Sequence, residues 1–354
     1  MRKYLLFVVV GYSFLLVSSF AQSPGWYFQN PKSERKDLRS TSFADNNKGV
    51  TVGLSGTILR TTDGGTSWDK IVSPTTKDLY CVSYIVPSNI IAVGKQGTIL
   101  RSTDGGNTWS VYSVSTIPHL YAVDFLNSNF GIVVGAGGKI LRTTDGGITW
   151  SEPFSLNVSD LNAIDIIDSN NVTAVGNYGT IIRSTDGGLT WTYQTNPVSE
   201  HFYSVSFVNL NNGVITGYNG TVIYTSDGGN SWHLSQQLTF NEIYSVKYFN
   251  SDKCVLVGGG GGLIYNSTDN GQTWTHPDNY YPSSVFFNIC ILNDSTAITV
   301  GTAILKTTDR GNSWFALSGG MEESFYGVCF PDINTGTVVG SQGAIYRTTN
   351  AGAT

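Results

Sequence analysis

One string recurs through this chain: Thr-Thr-Asp-Gly-Gly-x-Ser/Thr-Trp or a close copy of it. Its tryptophan falls at Trp68, Trp109, Trp150, Trp191, Trp232, Trp274 and Trp314, at intervals of 41, 41, 41, 41, 42 and 40 residues. A period near 40 that contains only short apolar runs is one supersecondary unit, copied around a ring or along a line. That period constrains the fold far more tightly than it constrains function.

Within one period the pattern is that of four strands. Leu79-Tyr80-Cys81-Val82-Ser83-Tyr84 alternates with period two, Pro87-Ser88-Asn89 turns the chain, and Ile90-Ile91-Ala92-Val93 is a second strand. Gly94-Lys95-Gln96-Gly97 is a hairpin, Thr98-Ile99-Leu100-Arg101-Ser102 a third strand, and Thr108-Trp109-Ser110-Val111-Tyr112 a fourth. Four antiparallel strands per unit, no helix between units and many glycines predict an all-β propeller of four-stranded blades. The two irregular spacings fall in hairpins: one residue is missing around Gly301-Thr302-Ala303 and one is added within Gly258 to Gly262. Length changes cost little there.

The repeated turn has a structural chemistry of its own. Asp63, Asp104, Asp145, Asp186, Asp227, Asp269 and Asp309 can accept backbone N–H bonds, and the glycines supply positive φ. Each tryptophan then plugs its ring between sheets, burying roughly 200 Å². Seven copies of one chemistry at one spacing point to a staple and not to seven active sites.

The blade count is eight, with seven plus a partial unit as the alternative. Trp26-Tyr27-Phe28 reads as a fourth strand without its first three, and the last unit runs out near Thr354 where a tryptophan is due. The N-terminal strand near Trp26 is therefore expected to complete the last blade and close the ring. A chain continuing past Thr354 is the rival explanation.

Residues 1–21 carry a basic start (Arg2, Lys3), an apolar run and a Ser19-Phe20-Ala21 cleavage site, which reads as a secretory signal. Residues 22–354 then form a single propeller domain exported to the periplasm, cell surface or medium, with no integral membrane segment after cleavage. Charged residues are only 13% of the chain and the formal net charge is -5, which argues against nucleic acid as a partner. Cys81, Cys254, Cys290 and Cys329 make no metal pattern and no disulfide framework. They read as small buried residues of inner strands, although Cys290 and Cys329 fall at equivalent positions in neighbouring units. No cofactor or metal site is expected.

The recurring string resembles the Asp-box, also called the bacterial neuraminidase repeat. The longer phrase LYAVDFLNSNFGIVVGAGGKILRTTDGGITW (residues 120–150) is similar to the repeat of the photosystem II stability/assembly factor family of plants and cyanobacteria. The resemblance covers residues 26–354. It implies a β-propeller and a non-catalytic assembly factor that holds a membrane-protein intermediate. That family's usual ring has seven blades, so a count of eight departs from it.

Three sets of residues are candidate sites. Just before the Thr-x-Asp turn stand Arg60, Arg101, Arg142, Arg183, Tyr224, Tyr265, Lys306 and Arg347. Six cations in one register can form an arc that takes a partner's carboxylate or phosphate, or can stack and pair within the fold. On the first strands, Ser42, Ser83, Asp124, Asp165, Ser206, Lys247, Cys290 and Cys329 make a second ring, in which Asp124 and Asp165 are neighbours. Opposite the aspartate turns, loops carry Tyr112, His119, Tyr178, His201, Tyr218, Glu242, His276, Tyr280 and Tyr281, which suit protein or sugar binding.

Catalysis finds little support. His119, His201, His233 and His276 lie in separate units, and no nucleophile elbow or phosphate loop is present. Sialidases are the nearest catalytic relatives by repeat, but their Arg-Ile-Pro motif is absent, and Glu200 with Glu242 is the one carboxylate pair to test for hydrolysis. The expectation is a non-catalytic scaffold with a protein partner. Carbohydrate binding or cleavage, or use as a module of a larger surface protein, are the alternatives.

Overall fold

The alternating, glycine-punctuated runs pair as antiparallel neighbours into eight sheets in a computed structural model. It describes residues 26–29, 36–113, 118–152, 159–277, 284–317 and 323–352. The proposed signal, residues 1–21, and Tyr280 and Tyr281 lie outside the described residues. Blade 1 has an inner strand Leu38–Phe43, then Gly49–Gly53, Ile58–Thr61 and an outer strand Asp69–Lys70. Blades 2 to 8 begin with the inner strands Leu79–Val86, Leu120–Phe125, Leu161–Ile166, Phe202–Phe207, Ile243–Tyr248, Phe286–Ile291 and Phe325–Cys329. In blades 3 and 6 the outer strand shrinks to the single bridges Arg142↔Ser151 and Asn266↔Thr275. In blade 2 the outer strand is Ser110–Ser113, so Trp109 ends the turn and does not sit in the strand.

The ring closes as expected. Tyr27–Phe28 adds to the last blade, with Tyr27 opposite Arg347 and Phe28 opposite Tyr346. Inner strand Leu38–Phe43 packs on one side against Leu79–Val86 and on the other against Phe325–Cys329. Trp26 is 3% exposed and meets Phe330 edge-on at 6.1 Å. Trp68 meets Phe43 at 6.0 Å, Trp150 meets Phe125 at 6.1 Å and Trp232 meets Phe207 at 6.0 Å in the same way. Trp26 therefore supplies the indole that the last unit lacks, and the propeller has eight blades.

The core is a set of layers between blades. Val50, Val52 and Ile58 of blade 1 pack on Leu79, Val82, Ile90, Ala92 and Trp109 of blade 2, and the pattern repeats around the ring. Each fully buried aliphatic side chain is worth about 1.5–3 kcal/mol. The second strand is buried along its whole length, which explains runs such as Gly-Ile-Val-Val-Gly with no polar alternation. Its last glycine allows a close approach: a Cβ at Gly94 would collide with the carbonyl oxygen of Asp78, to which Lys95 N–H donates at 2.8 Å.

The hairpin after the second strand holds residues with positive φ, such as Ser55 (φ 55) and Gln96 (φ 54). The residue before the next inner strand secures it. Ser55 N–H donates to Asp78 Oδ1 at 2.8 Å, Gly137 N–H to Asp160 Oδ1 at 2.8 Å, and Gln96 N–H to His119 Nδ1 at 3.1 Å. Gln342 N–H donates to Asp37 Oδ1 at 3.1 Å and carries the same link across the ring closure.

Candidate functional site

The propeller presents two faces and an axis. On one face lie the aspartate turns, and their bonding is nearly identical from blade to blade. Asp186 Oδ1 accepts from Ser184 Oγ (2.8 Å) and from Thr190 N–H (2.9 Å), while Oδ2 accepts from Thr190 Oγ1 (2.6 Å). Ser184 Oγ in turn accepts from Gly188 N–H at 2.7 Å. Asp63, Asp104, Asp145, Asp227, Asp269 and Asp309 repeat the arrangement. The tryptophans behind them are nearly buried, and the indoles of Trp109, Trp191, Trp274 and Trp314 donate to the second glycine's carbonyl, or in the last two to the turn's single glycine, at 3.0–3.2 Å.

This bonding lowers the carboxyl pKa. The Thr190 hydroxyl, then its N–H, hold Asp186 at about 2, and Ser231 does the same for Asp227. A carboxylate whose folded pKa is depressed contributes stability that is present above its unfolded value near 3.9 and is lost as pH falls through the folded value. The melting temperature is therefore expected to be flat from neutral pH to about 5 for these groups and to fall steeply between about 4 and 2. A pH series of thermal melts checks this, and Asp186→Asn should flatten part of the fall.

The cation register runs along the third strands of the same face. Arg60 Nε donates to the Gly105 carbonyl at 2.7 Å, Arg101 Nε to Gly146 at 3.3 Å and Arg142 Nε to Gly187 at 2.6 Å. Arg347 Nε donates to Gly64 and so bridges the last blade to the first. Each acceptor is the first glycine of the next blade's aspartate turn. Arg183 instead directs Nη2 to Asn171 Oδ1 at 3.2 Å, and Lys306 is half-buried, with its amine pKa lowered by that burial.

In blade 6 the position belongs to Asn266, not Tyr265, because Asn266 faces Val255 as Arg60 faces Val50. The asparagine also reaches the next blade's turn, Nδ2 to the Gly311 carbonyl, one residue further along than the arginines' acceptors. Among the described residues, none of the six cations lies within ion-pair distance of a carboxylate.

The axis is lined by the inner strands. Ser42 Oγ accepts from Tyr84 N–H at 3.1 Å and Asp165 Oδ2 from Phe207 N–H at 2.6 Å, each across a blade boundary. Asp124 Oδ1 accepts from Phe125 N–H at 2.8 Å. Crowding in the narrow channel removes water from both carboxyls and pushes Asp165 up to about 6, with Lys247 opposing the shift. Asp124 moves in the same direction for the same reason. A cavity of about 450 Å³ opens beside Lys247, Phe207, Tyr248, Asn250 and Cys290.

Cys290 and Cys329 are free thiols raised by burial to about 11 and about 12. Ser83 and Ser206 complete the ring at the same register. Cys254 sits in a second strand and not in an inner one. Among the described residues no group of three or more His, Cys, Asp or Glu could hold a metal ion.

The opposite face contains a feature that strand periodicity does not reveal. In every inner strand the ladder slips by one residue at the second position, a β-bulge repeated eight times. A bulge re-aims the side chain it carries. The eight bulged residues are Arg39, Tyr80, Tyr121, Asn162, Tyr203, Tyr244, Phe287 and Tyr326, all half-exposed. Seven of them touch at least one other around the mouth of the channel, and Asn162 instead donates to the Phe202 carbonyl. Tyr80 and Tyr121 centroids lie 6.0 Å apart, Tyr203 stacks on Tyr244 at 5.9 Å, and Tyr244, Phe287 and Tyr326 follow at 5.4 and 5.5 Å. The Arg39 guanidinium lies 4.7 Å over the Tyr326 ring.

Five of these tyrosines recur at one place in the period. That repetition is one available signal, and the odd, three-residue spacing of the buried Leu79 and Val82 around Tyr80 is the other; a strict alternation overlooks both.

Of the loop residues expected here, Tyr178, His201 and Tyr218 form one cluster, with centroids 4.7 and 6.1 Å apart, and His119 joins Tyr80 and Tyr121. His276 packs edge-on to Tyr265 at 5.1 Å, and Tyr112 packs against the layer between blades 2 and 3. Glu242 directly precedes an inner strand, but His201 holds that place in blade 5, so Glu200 is one residue out of register with it.

Fold and faces together define an eight-bladed propeller of bulged, aspartate-stapled blades. A family model described as photosynthesis system II assembly factor YCF48 matches residues 21–118, 111–194 and 153–276, and the chain belongs to that family. Among solved structures, "YCF48 bound to D1 peptide" aligns at TM-score 0.60 and 18% identity over 92% of this chain and 96% of the other. YCF48 from Cyanidioschyzon merolae aligns at 0.62 and 19%, over 92% and 98%. An ancestral GH74 enzyme aligns at 0.62 and 13%, covering 94% of this chain but 55% of its own. The comparison with curated proteins finds no match to this sequence.

Proposed function

We propose that the chain is an exported, non-catalytic scaffold that holds a carboxylate-bearing segment of a protein partner on its arginine face. The observation that carries the reading is the row of cations in one register, none of which lies within ion-pair distance of a carboxylate among the described residues. Arg60, Arg101 and Arg142 are anchored through Nε, which leaves their terminal nitrogens for a planar, bidentate acceptor and fixes each fork before binding. Arg183, Lys306 and Arg347 extend the same face. Family membership supports a protein-binding role, and a YCF48 propeller takes up a D1 peptide.

A rigid ring loses little entropy on binding, which suits an assembly factor that must hold a partner without altering it. Export rests on residues 1–21. The test is capture: the immobilised full chain is expected to retain a dominant envelope protein of its host, and an R101Q/R142Q/R183Q variant is expected to lose it.

A further inference from the structure

The rosette of bulged aromatics lies on the face opposite the arginines, and the reading above does not use it. Tyr203, Tyr244, Phe287 and Tyr326 form an unbroken run of rings on four successive blades. The four residues are half-exposed at the channel mouth. Acidic groups surround the mouth: Asp37, Asp78, Asp160 and Glu242 each directly precede an inner strand. Asp37 is neutralised by Arg39 at 3.3 Å and Asp78 by Lys95 at 3.6 Å. Beside the aromatic run, Glu242 flanks Tyr203 and Tyr244. The chain itself shows what these rings accept, since the Arg39 guanidinium already lies 4.7 Å over Tyr326.

We propose that this rosette is a second binding site, which takes a cationic side chain, arginine or lysine, from a basic segment of a partner protein at the axial mouth. Aromatic faces attract a guanidinium or ammonium within about 6 Å of the centroid, and the spacing of the rings lets one cation contact two of them. The neighbouring Glu242 carboxylate favours the same sign of charge. The bulge serves this use: it turns one side chain per blade to the mouth, a ring in six of the eight, while the residues on either side keep the strand paired.

The test is calorimetric titration of the full chain with acetyl-(Gly-Arg)4-amide and with acetyl-(Gly-Gln)4-amide. Saturable binding of the arginine peptide alone is expected. Tyr244→Leu with Phe287→Leu should weaken it at least tenfold at an unchanged melting temperature, whereas Tyr244→Phe should bind as the parent does, because the ring face and not the hydroxyl carries the contact. Arg39→Ala, which frees the Tyr326 face and removes a like charge, should tighten binding. R101Q/R142Q on the other face should leave it unchanged, which separates this site from the arginine face. Equal binding of the glutamine peptide, undiminished binding by the leucine variant, or loss in Tyr244→Phe equal to that in the leucine variant would overturn the proposal.

Discussion

Trp26→Ala should lower the unfolding free energy of the propeller by about 3–5 kcal/mol, the range for deleting a large buried aromatic. The residue is 3% exposed and packs with Ile298, Val300, Phe325 and Val338 between blades 7 and 8. Its loss also loosens Tyr27–Phe28, whose pairing with Ile345–Thr348 completes the last blade. In a closed ring an unpaired edge exposes backbone groups as well as an apolar layer. Urea unfolding measures the effect. A loss below about 1 kcal/mol would mean that the last blade is stable without its N-terminal strand.

Asp165→Asn should act in the opposite direction, and only above acidic pH. Removal of water in the channel raises the Asp165 pKa to about 6, against about 3.9 for an unfolded chain. A carboxyl with a raised folded pKa favours the native state fully below about 4, and that contribution disappears as pH rises through about 6. The asparagine keeps an oxygen to accept the Phe207 N–H and carries no charge to desolvate. After a discount for the channel's water, the variant should be more stable by about 1–2 kcal/mol at pH 8 and indistinguishable at pH 4. Lys247→Met should magnify the difference, because the amine partly offsets the buried charge. Melts at the two pH values decide it, and a stabilisation of equal size at both would place the effect in packing and not in charge.

The fold was legible in the sequence because each blade repeats the whole instruction. Alternation marks the inner strand, glycine-bounded aliphatics the buried second strand, and the Asp-Gly-Gly turn the link to the outer one. Closure through Trp26 was legible for the same reason: one fourth strand too many at the start matched one too few at the end. The site was less legible. The arginines could be read as one register but not as donors to the next blade's glycine carbonyls, since a contact 45 residues away depends on how blades stack. In blade 6 a count of one fixed period on from Tyr224 lands on Tyr265, whereas the count back from Asp269 gives Asn266, because one residue is added within Gly258 to Gly262. The rosette is marked in the sequence only by a break in the alternation: the buried Leu79 and Val82 stand three residues apart, an odd spacing that a bulge at Tyr80 produces and that a strict two-residue reading overlooks.

The most direct measurement is capture from the host's own envelope and medium on the immobilised full chain, read by mass spectrometry beside the R101Q/R142Q/R183Q variant, with melts showing both rings intact. One dominant protein on the parent and its absence from the variant is the predicted result. The same protein on both, or polysaccharide alone on both, would contradict the account and leave the arginines as clamps between blades.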